Sequence, residues 1–442
     1  MVRLFNAVRK IVPQVTGRPP YSNPTPAPSA AVRLHSRRHV ATFPRYIERS
    51  ASSTLGGTIM GSSTRHRAAL VAAATGMLLA LGGCDLLFPD EAVNVLKDIV
   101  AGDAPSALKQ ETPEPARTTI RYEVDGRVWY ADLYDPRQPI GAPLVLVPGA
   151  APAGKDDPRL QALAKSLARA RFLVLVPDLP GPRQLKISAA DAGGIADAVT
   201  YLAGRATTPG GRQVGIAAIS YGVGPAVLAA IRPDVTDKVR FVLGLGGYYD
   251  TRAMVTYITT GAYRDPVTGG WRRADPLDYA KWVFVLSNVD RLRSPSDRAA
   301  LSEMARRRLR DPRAPIQDLV RGLGPEGRPL LTLLLNDDPA RVDGLNGDLP
   351  EAVRADIAAL SLKGRDLSPL AGKLILIHGE VDRMIPYTES IALAAAAGRT
   401  ELFIPEGFSH VDPDSIPIAG QRTLVRAMRA LLARRDPLPG AS

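Results

Sequence analysis

Cysteine is almost missing. Cys84 stands alone in 442 residues, so no disulfide can close within the chain and stability must come from a packed core. Histidine is scarce too: of five, only His378 and His410 lie beyond residue 84, and no metal-ligand cluster or cofactor motif is present. Acidic residues are missing from one region. Residues 1–83 carry 11 Lys/Arg against Glu48 alone, so they supply +10 of the formal +12 and the rest only +2. The basic character therefore belongs to the N-terminal segment, which argues against a folded nucleic-acid binder. Aromatic residues make up 5% of the chain, and eight of them fall between Tyr248 and Phe284. What remains, 45% hydrophobic and 23% charged, is globular composition, enough for one large domain or two ordinary ones.

The N-terminal quarter reads as address rather than fold. From Met60 the chain passes through Arg65, His66 and Arg67 into 16 uncharged residues, Ala68 to Gly83, and then reaches Cys84. That layout is a secretory signal, too short and too rich in small residues for a membrane span. Leu81-Gly82-Gly83-Cys84 resembles the bacterial lipobox, which implies a lipidated Cys84 as mature N-terminus, a membrane lipid anchor, and a place in the bacterial cell envelope. Asp85 at the next position implies the periplasmic face of the inner membrane. The competing reading is a lone buried cysteine closing a hydrophobic helix. Residues 1–59, rich in Arg, Pro, Ser and Ala, read as disordered sequence upstream of a true start at Met60, or alternatively as a transit peptide. Residues 84–117 hold a short apolar run near Ala92 to Val100 and a polar, Pro-containing stretch, and suit a tether.

Beyond the tether the pattern is α/β. Thr118 to Val124 and Val128 to Leu133 alternate around Asp125-Gly126, a hairpin signal. Continuous apolar runs at Leu144–Val147, Phe172–Val176, Val214–Ile219, Phe241–Leu245, Leu374–Ile377 and Glu401–Ile404 then interleave with helical spacing at 160–170, 189–202 and 226–231. Such alternation predicts a mainly parallel twisted sheet with helices on both faces.

Ser220 falls where the run Val214–Ile219 meets the next helix, among the small residues Ala218, Gly222 and Gly224. A sharp strand-to-helix turn there would lift its hydroxyl above the C-terminal edge of the sheet. The stretch resembles the nucleophile elbow of the α/β-hydrolase family, Gly-x-Ser-x-Gly, with Ala218 in the first glycine's place. Two further segments fit the family in chain order. His378-Gly-Glu-Val-Asp382 follows the run at Leu374 and is similar to the acid-bearing loop; Pro405-Glu-Gly-Phe-Ser-His410 follows the run at Glu401 and is similar to the setting of the base. The resemblance implies Ser220 as nucleophile, His410 as base and Asp382 as acid, with Glu380 and Asp250 as competing acids. It also implies an oxyanion hole made by the backbone N–H groups of Tyr221 and Ala150, the latter in Pro148-Gly149-Ala150. It covers roughly residues 118–436, with a core at 118–247 and 369–436.

Residues 248–368 exceed what a connection needs and are expected to form a cap, or lid, whose aromatics line an acyl or alcohol pocket or simply fill the cap's own core. Two decoys are set aside. Gly149 to Lys155 fits a phosphate-binding pattern, but Asp156 stands where a hydroxyl is needed and Pro152 removes a donor; Gly244-Leu-Gly-Gly247 lacks the third glycine of a dinucleotide turn. Arg306, Arg307, Arg308 and Arg310 read as a solvated helix face or a weak contact with anionic lipid headgroups. The expectation is a serine hydrolase acting on small-molecule carboxylic esters, with no cofactor, no metal and no nucleic-acid partner. An acyltransferase or peptidase using the same residues is the alternative, as is a non-catalytic lipoprotein binding module.

Overall fold

A computed structural model describes residues 90–205, 212–410 and 416–436; the signal, Cys84 and residues 1–59 lie outside them. Strands β1 (Ala116–Val124) and β2 (Arg127–Asp135) form an antiparallel hairpin closed at Asp125-Gly126. They are followed by β3 (Ala142–Val147), β4 (Phe172–Pro177), β5 (Val214–Ile219), β6 (Val239–Leu245), the short pair β7 (Ala262–Arg264) and β8 (Trp271–Arg273), then β9 (Leu374–Ile377) and β10 (Thr400–Phe403). Eight of these make one sheet in the order β1-β2-β4-β3-β5-β6-β9-β10, parallel from β4 to β10. This is the α/β architecture expected of the α/β-hydrolase fold.

The continuous apolar runs have a direct cause. Alternate residues of β3 enter different layers, Leu144 and Leu146 one and Val145 and Val147 the other, so both faces must be apolar. Helices α1 (Glu91–Ala101), α2 (Ala107–Glu111) and α3 (Pro158–Arg169) contribute to the first layer, and α4 (Asp191–Arg205) and α5 (Val223–Ala230) to the second. Five helices of eight or more residues follow between β6 and β9: α6 (Thr251–Thr260), α7 (Tyr279–Asn288), α8 (Pro295–Arg310), α9 (Gly327–Leu334) and α10 (Glu351–Leu360). After β9, α11 (Thr388–Ala397) joins the second layer and α12 (Ile418–Ala433) the first.

The tether expectation needs correcting for residues 90–117. The apolar run at Ala92 to Val100 is one face of α1, N-capped by Asp90, and Ala92, Val95 and Leu108 are buried in the layer that holds Met428 and Leu431. Asp98 sits buried on this helix because Lys109 Nζ lies 2.6 Å away and Ser166 Oγ donates to it at 2.6 Å. Only 112–115 link α2 to β1 without regular structure.

The cap segment has an apolar cluster of its own, with Val285, Leu301, Met304, Leu330 and Val353 at its centre. Of its eight aromatics, Tyr248, Tyr279 and Phe284 line the cavity over Ser220, whereas Trp271 is exposed beneath the Arg264 guanidinium, 3.6 Å from the ring centroid. The arginine run on α8 is occupied locally: Arg306 and Arg307 pair with Glu303, and Arg307 also with Asp318.

Candidate active site

Ser220 sits between β5 and α5 in the tight turn Ser220–Gly222, with a left-handed φ of +56°. For a residue with a side chain that backbone costs on the order of 1–3 kcal/mol and persists only where surrounding packing dictates it. The packing here is tight. A Cβ on Gly222 would stand 2.6 Å from the Pro148 carbonyl oxygen, so only glycine lets the loop after β3 approach the turn. Ala218, two residues before the serine, is fully buried.

The ends of β9 and β10 deliver two further side chains to the same place. His410 Nε2 lies 2.9 Å from Ser220 Oγ, and His410 Nδ1 lies 2.5 Å from Asp382 Oδ2. A carboxylate facing Nδ1 keeps the proton on that nitrogen and leaves the Nε2 lone pair toward the serine hydroxyl. Asp382 is itself held from several sides. Its Oδ1 accepts the N–H groups of Met384 (2.7 Å) and Ile385 (3.0 Å), while Oδ2 is also 3.3 Å from His378 Nε2. Burial alone would raise this carboxyl, but the facing His410 and the hydrogen bonds from both histidines hold it well below the usual carboxylate range.

The other two candidate acids are elsewhere. Glu380 is exposed, and Asp250 caps α6 through the N–H of Arg252 and pairs with Lys363 Nζ at 2.8 Å.

No family model matches the chain, and no curated protein matches it in sequence. Solved structures resemble it at low identity. The match to an acylaminoacyl peptidase of Pyrococcus horikoshii is 12% identical and covers 75% of this chain but 43% of that one, with a TM-score of 0.41. Est1E from Butyrivibrio proteoclasticus is 13% identical over 72% of this chain and 98% of its own, TM-score 0.37. A meta-cleavage product hydrolase of Pseudomonas fluorescens is 18% identical over 71% and 96%, TM-score 0.37. The chain thus spans less than half of the peptidase's length.

Two residues beside the triad were not singled out for a site role in the sequence. His378 is fully buried; its Nε2 faces two acceptors, Ile385 O at 3.0 Å and Asp382 Oδ2, so it carries the proton, and Nδ1 accepts from Ser390 Oγ at 2.7 Å. It fixes Asp382 from behind. Gly246, part of the rejected dinucleotide pattern, has φ +63°, and a Cβ there would lie 3.1 Å from His410 Nδ1 and 3.4 Å from Asp382 Oδ2. Its position against the imidazole explains the glycine; the only sequence signal was a Gly-rich strand end.

Ala150 and Tyr221 line the same cavity as Ser220, which has a volume of about 150 Å³ and mostly apolar walls. The Tyr221 ring is anchored away from the serine. Its hydroxyl is 2.6 Å from Asp191 Oδ2 and accepts from the Ser188 N–H at 3.0 Å, and burial together with Asp191 pushes it well above the ordinary phenol range. Lys155, the lysine of the phosphate-like pattern, is engaged by Asp156 at 2.9 Å and Asp132 at 3.3 Å.

Proposed function

We propose that this chain is a serine hydrolase that cleaves carboxylic esters through an acyl-enzyme on Ser220. The observation that carries the reading is the unbroken chain Ser220 Oγ to His410 to Asp382, at 2.9 and 2.5 Å, with Ser220 held in a left-handed turn. In this reading Ser220 Oγ attacks the ester carbonyl carbon while His410 Nε2 takes the hydroxyl proton. The N–H groups of Tyr221 and Ala150 receive the oxyanion, each worth about 2.7–4 kcal/mol in comparable sites. Collapse expels the alcohol, which leaves with the proton from His410. Water then repeats the sequence on the acyl-enzyme and releases the acid. Asp382 stays ionised throughout, as its lowered carboxyl range requires.

A fluorophosphonate probe tests this, because only an activated serine reacts quickly with it. Labelling that maps to Ser220 and disappears in Ser220→Ala supports the reading, and hydrolysis of activated esters should disappear with it. An unlabelled, correctly folded protein sinks it in favour of a binding module. Product analysis with an added alcohol or an amide substrate separates ester hydrolysis from acyl transfer or peptidase action.

For location, the basic, apolar and Leu-Gly-Gly-Cys order at residues 65–84 supports lipid attachment at Cys84 and a membrane-held protein facing the periplasm. Cys84→Ser should then shift the protein from the membrane fraction to the soluble one or stall its processing. Mature protein that begins well before Cys84 and stays soluble contradicts it.

A further inference from the structure

The outer face of α12 is basic along its length. On the inner side, Met428, Leu431 and Leu432 are buried in the layer that also holds Ala92 and Val95 of α1. Ala419, Arg422, Arg426, Arg429 and Ala433 are exposed, and their spacing of 3, 4, 3 and 4 residues lines them up along one face. Ile418 opens that face with 67% of its surface exposed. No acidic residue occurs between Ile418 and Ala433. Arg426 donates to the neutral Thr423 hydroxyl at 3.2 Å, and neither Arg426 nor Arg422 has a carboxylate partner among the described residues. The arginine run on α8 differs in this respect, since Glu303 and Asp318 engage it.

The place of this face follows from where the chain enters the fold. Asp90, the first described residue, N-caps α1 through the Ala92 N–H at 2.9 Å, and its Oδ2 accepts from Arg429 Nε at 2.7 Å. The start of α1 is thereby pinned to the basic face of α12. Cys84 stands six residues earlier in the sequence, and six residues span at most about 20 Å even when fully extended. A lipid on Cys84 holds the Asp90–Arg429 pair within that distance of the bilayer. At such range α12 repeatedly comes within the roughly 8–10 Å over which a charged surface is felt in physiological salt. Exposed arginines gain from anionic headgroups there, and an exposed isoleucine gains from leaving water. A protein partner suits the face less, because one stripe of a single helix falls short of the roughly 20–30 residues a side of a stable interface.

We propose that the exposed face of α12, from Ile418 to Ala433, docks on anionic phospholipid headgroups, with Arg422 and Arg426 meeting lipid phosphates. This rests on the reading of Cys84 as the lipid-bearing residue and adds which side of the folded domain meets the membrane. An anchor alone leaves the domain free to rotate about its attachment. The arginine face fixes its orientation.

The test uses lipidated protein extracted from membranes and reconstituted into vesicles of equal parts phosphatidylglycerol and phosphatidylcholine, with a nitroxide on some of the headgroups. Lipid occupies the sulfur of Cys84, so an introduced cysteine is the one reactive thiol of the mature chain. A fluorophore is attached in Ala419→Cys, on the α12 face, or in Thr332→Cys, at an exposed position of the cap. Quenching should be at least about threefold stronger at position 419 than at 332, and should fall at least about twofold in Arg422→Glu/Arg426→Glu. Vesicles of phosphatidylcholine alone should produce the same fall with no arginine replaced. Equal quenching at the two positions, or quenching at 419 that is indifferent to lipid charge, overturns the inference. Mass spectrometry of the N-terminal peptide is run on the same preparation. A lipidated Cys84 with an unquenched label at 419 overturns this inference alone, and a Cys84 without lipid overturns the anchor reading and the inference with it.

Discussion

The sheet-based core and the cap treat buried polar groups in opposite ways. In the core, Asp382 is surrounded by donors, two backbone N–H groups and two imidazole nitrogens, and these stand on the segments that follow β9 and β10, strands whose register is fixed by parallel neighbours. In the cap, Asn288 is as deeply buried and keeps an oxygen with no partner. The core also wraps two apolar layers around one sheet, while the cap segment closes on a single helical cluster. The difference teaches where each kind of job is placed. Asp382 is over-determined by the segments that the rigid sheet holds in place, whereas the packing of the cap's helices leaves Asn288 Oδ1 without a partner among the described residues.

The sharpest way to break this comparison is Ser220→Ala. If the core holds the chemistry, kcat on an activated ester should fall by about 10⁶-fold with the melting temperature little changed. Next, Asp382→Asn should cost about 10⁴-fold by favouring the wrong imidazole tautomer, as in a related triad. Asp250→Asn and Glu380→Gln should stay within about tenfold of the parent; a large loss in Asp250→Asn with little in Asp382→Asn would move the acid into the cap.

Stability should divide along the same boundary. Met304 is fully buried in the cap cluster, and Met304→Ala should lower unfolding free energy by about 2–5 kcal/mol in a denaturant titration while fluorophosphonate labelling at 25 °C persists. Loss of labelling would mean that cap packing and the serine's reactivity are one unit.

Glu389 connects the two regions, because its carboxylate accepts the N–H groups of Tyr249 and Asp250 where the cap chain leaves the core. Burial pushes it up to about 7, from an ordinary 4.5. The folded state therefore holds this proton more tightly than the unfolded one. The stabilisation is complete below about pH 4.5 and is lost as pH rises through 7, on the order of 3 kcal/mol in all. Thermal melting between pH 4 and pH 8 should show that fall in the parent relative to Glu389→Gln; parallel curves would refute it. Smallest of the set, Gly246→Ala should reduce kcat roughly tenfold to a hundredfold, since a methyl on a left-handed backbone would press on His410 Nδ1.

Much of the core was legible because its signals are local. The strands Val214–Ile219 and Leu374–Ile377 stand where their apolar runs stand, since burial on both faces leaves no polar residue to blur the ends. Ser220 was legible for a related reason, its small neighbours marking a turn that only close backbone approach requires. The segment at 90–117 was misread because a short amphipathic helix followed by prolines has tether-like composition; its apolar face is meaningful only against distant partners, α3 and α12, the latter more than three hundred residues on. The cap's helices went unread individually, as helices that pack on each other need no continuous apolar run.

By itself, then, the sequence determined the α/β class, the order of strands along the chain, and the serine, the histidine and the three candidate acids on which acyl chemistry could rest, since each depends on residue type and spacing within a few turns. The tertiary structure alone decided which acid faces His410, and that His378 and Gly246 back that pair. Those facts depend on distances between segments up to about two hundred residues apart, and through-space hydrogen bonding leaves no local trace in composition or periodicity.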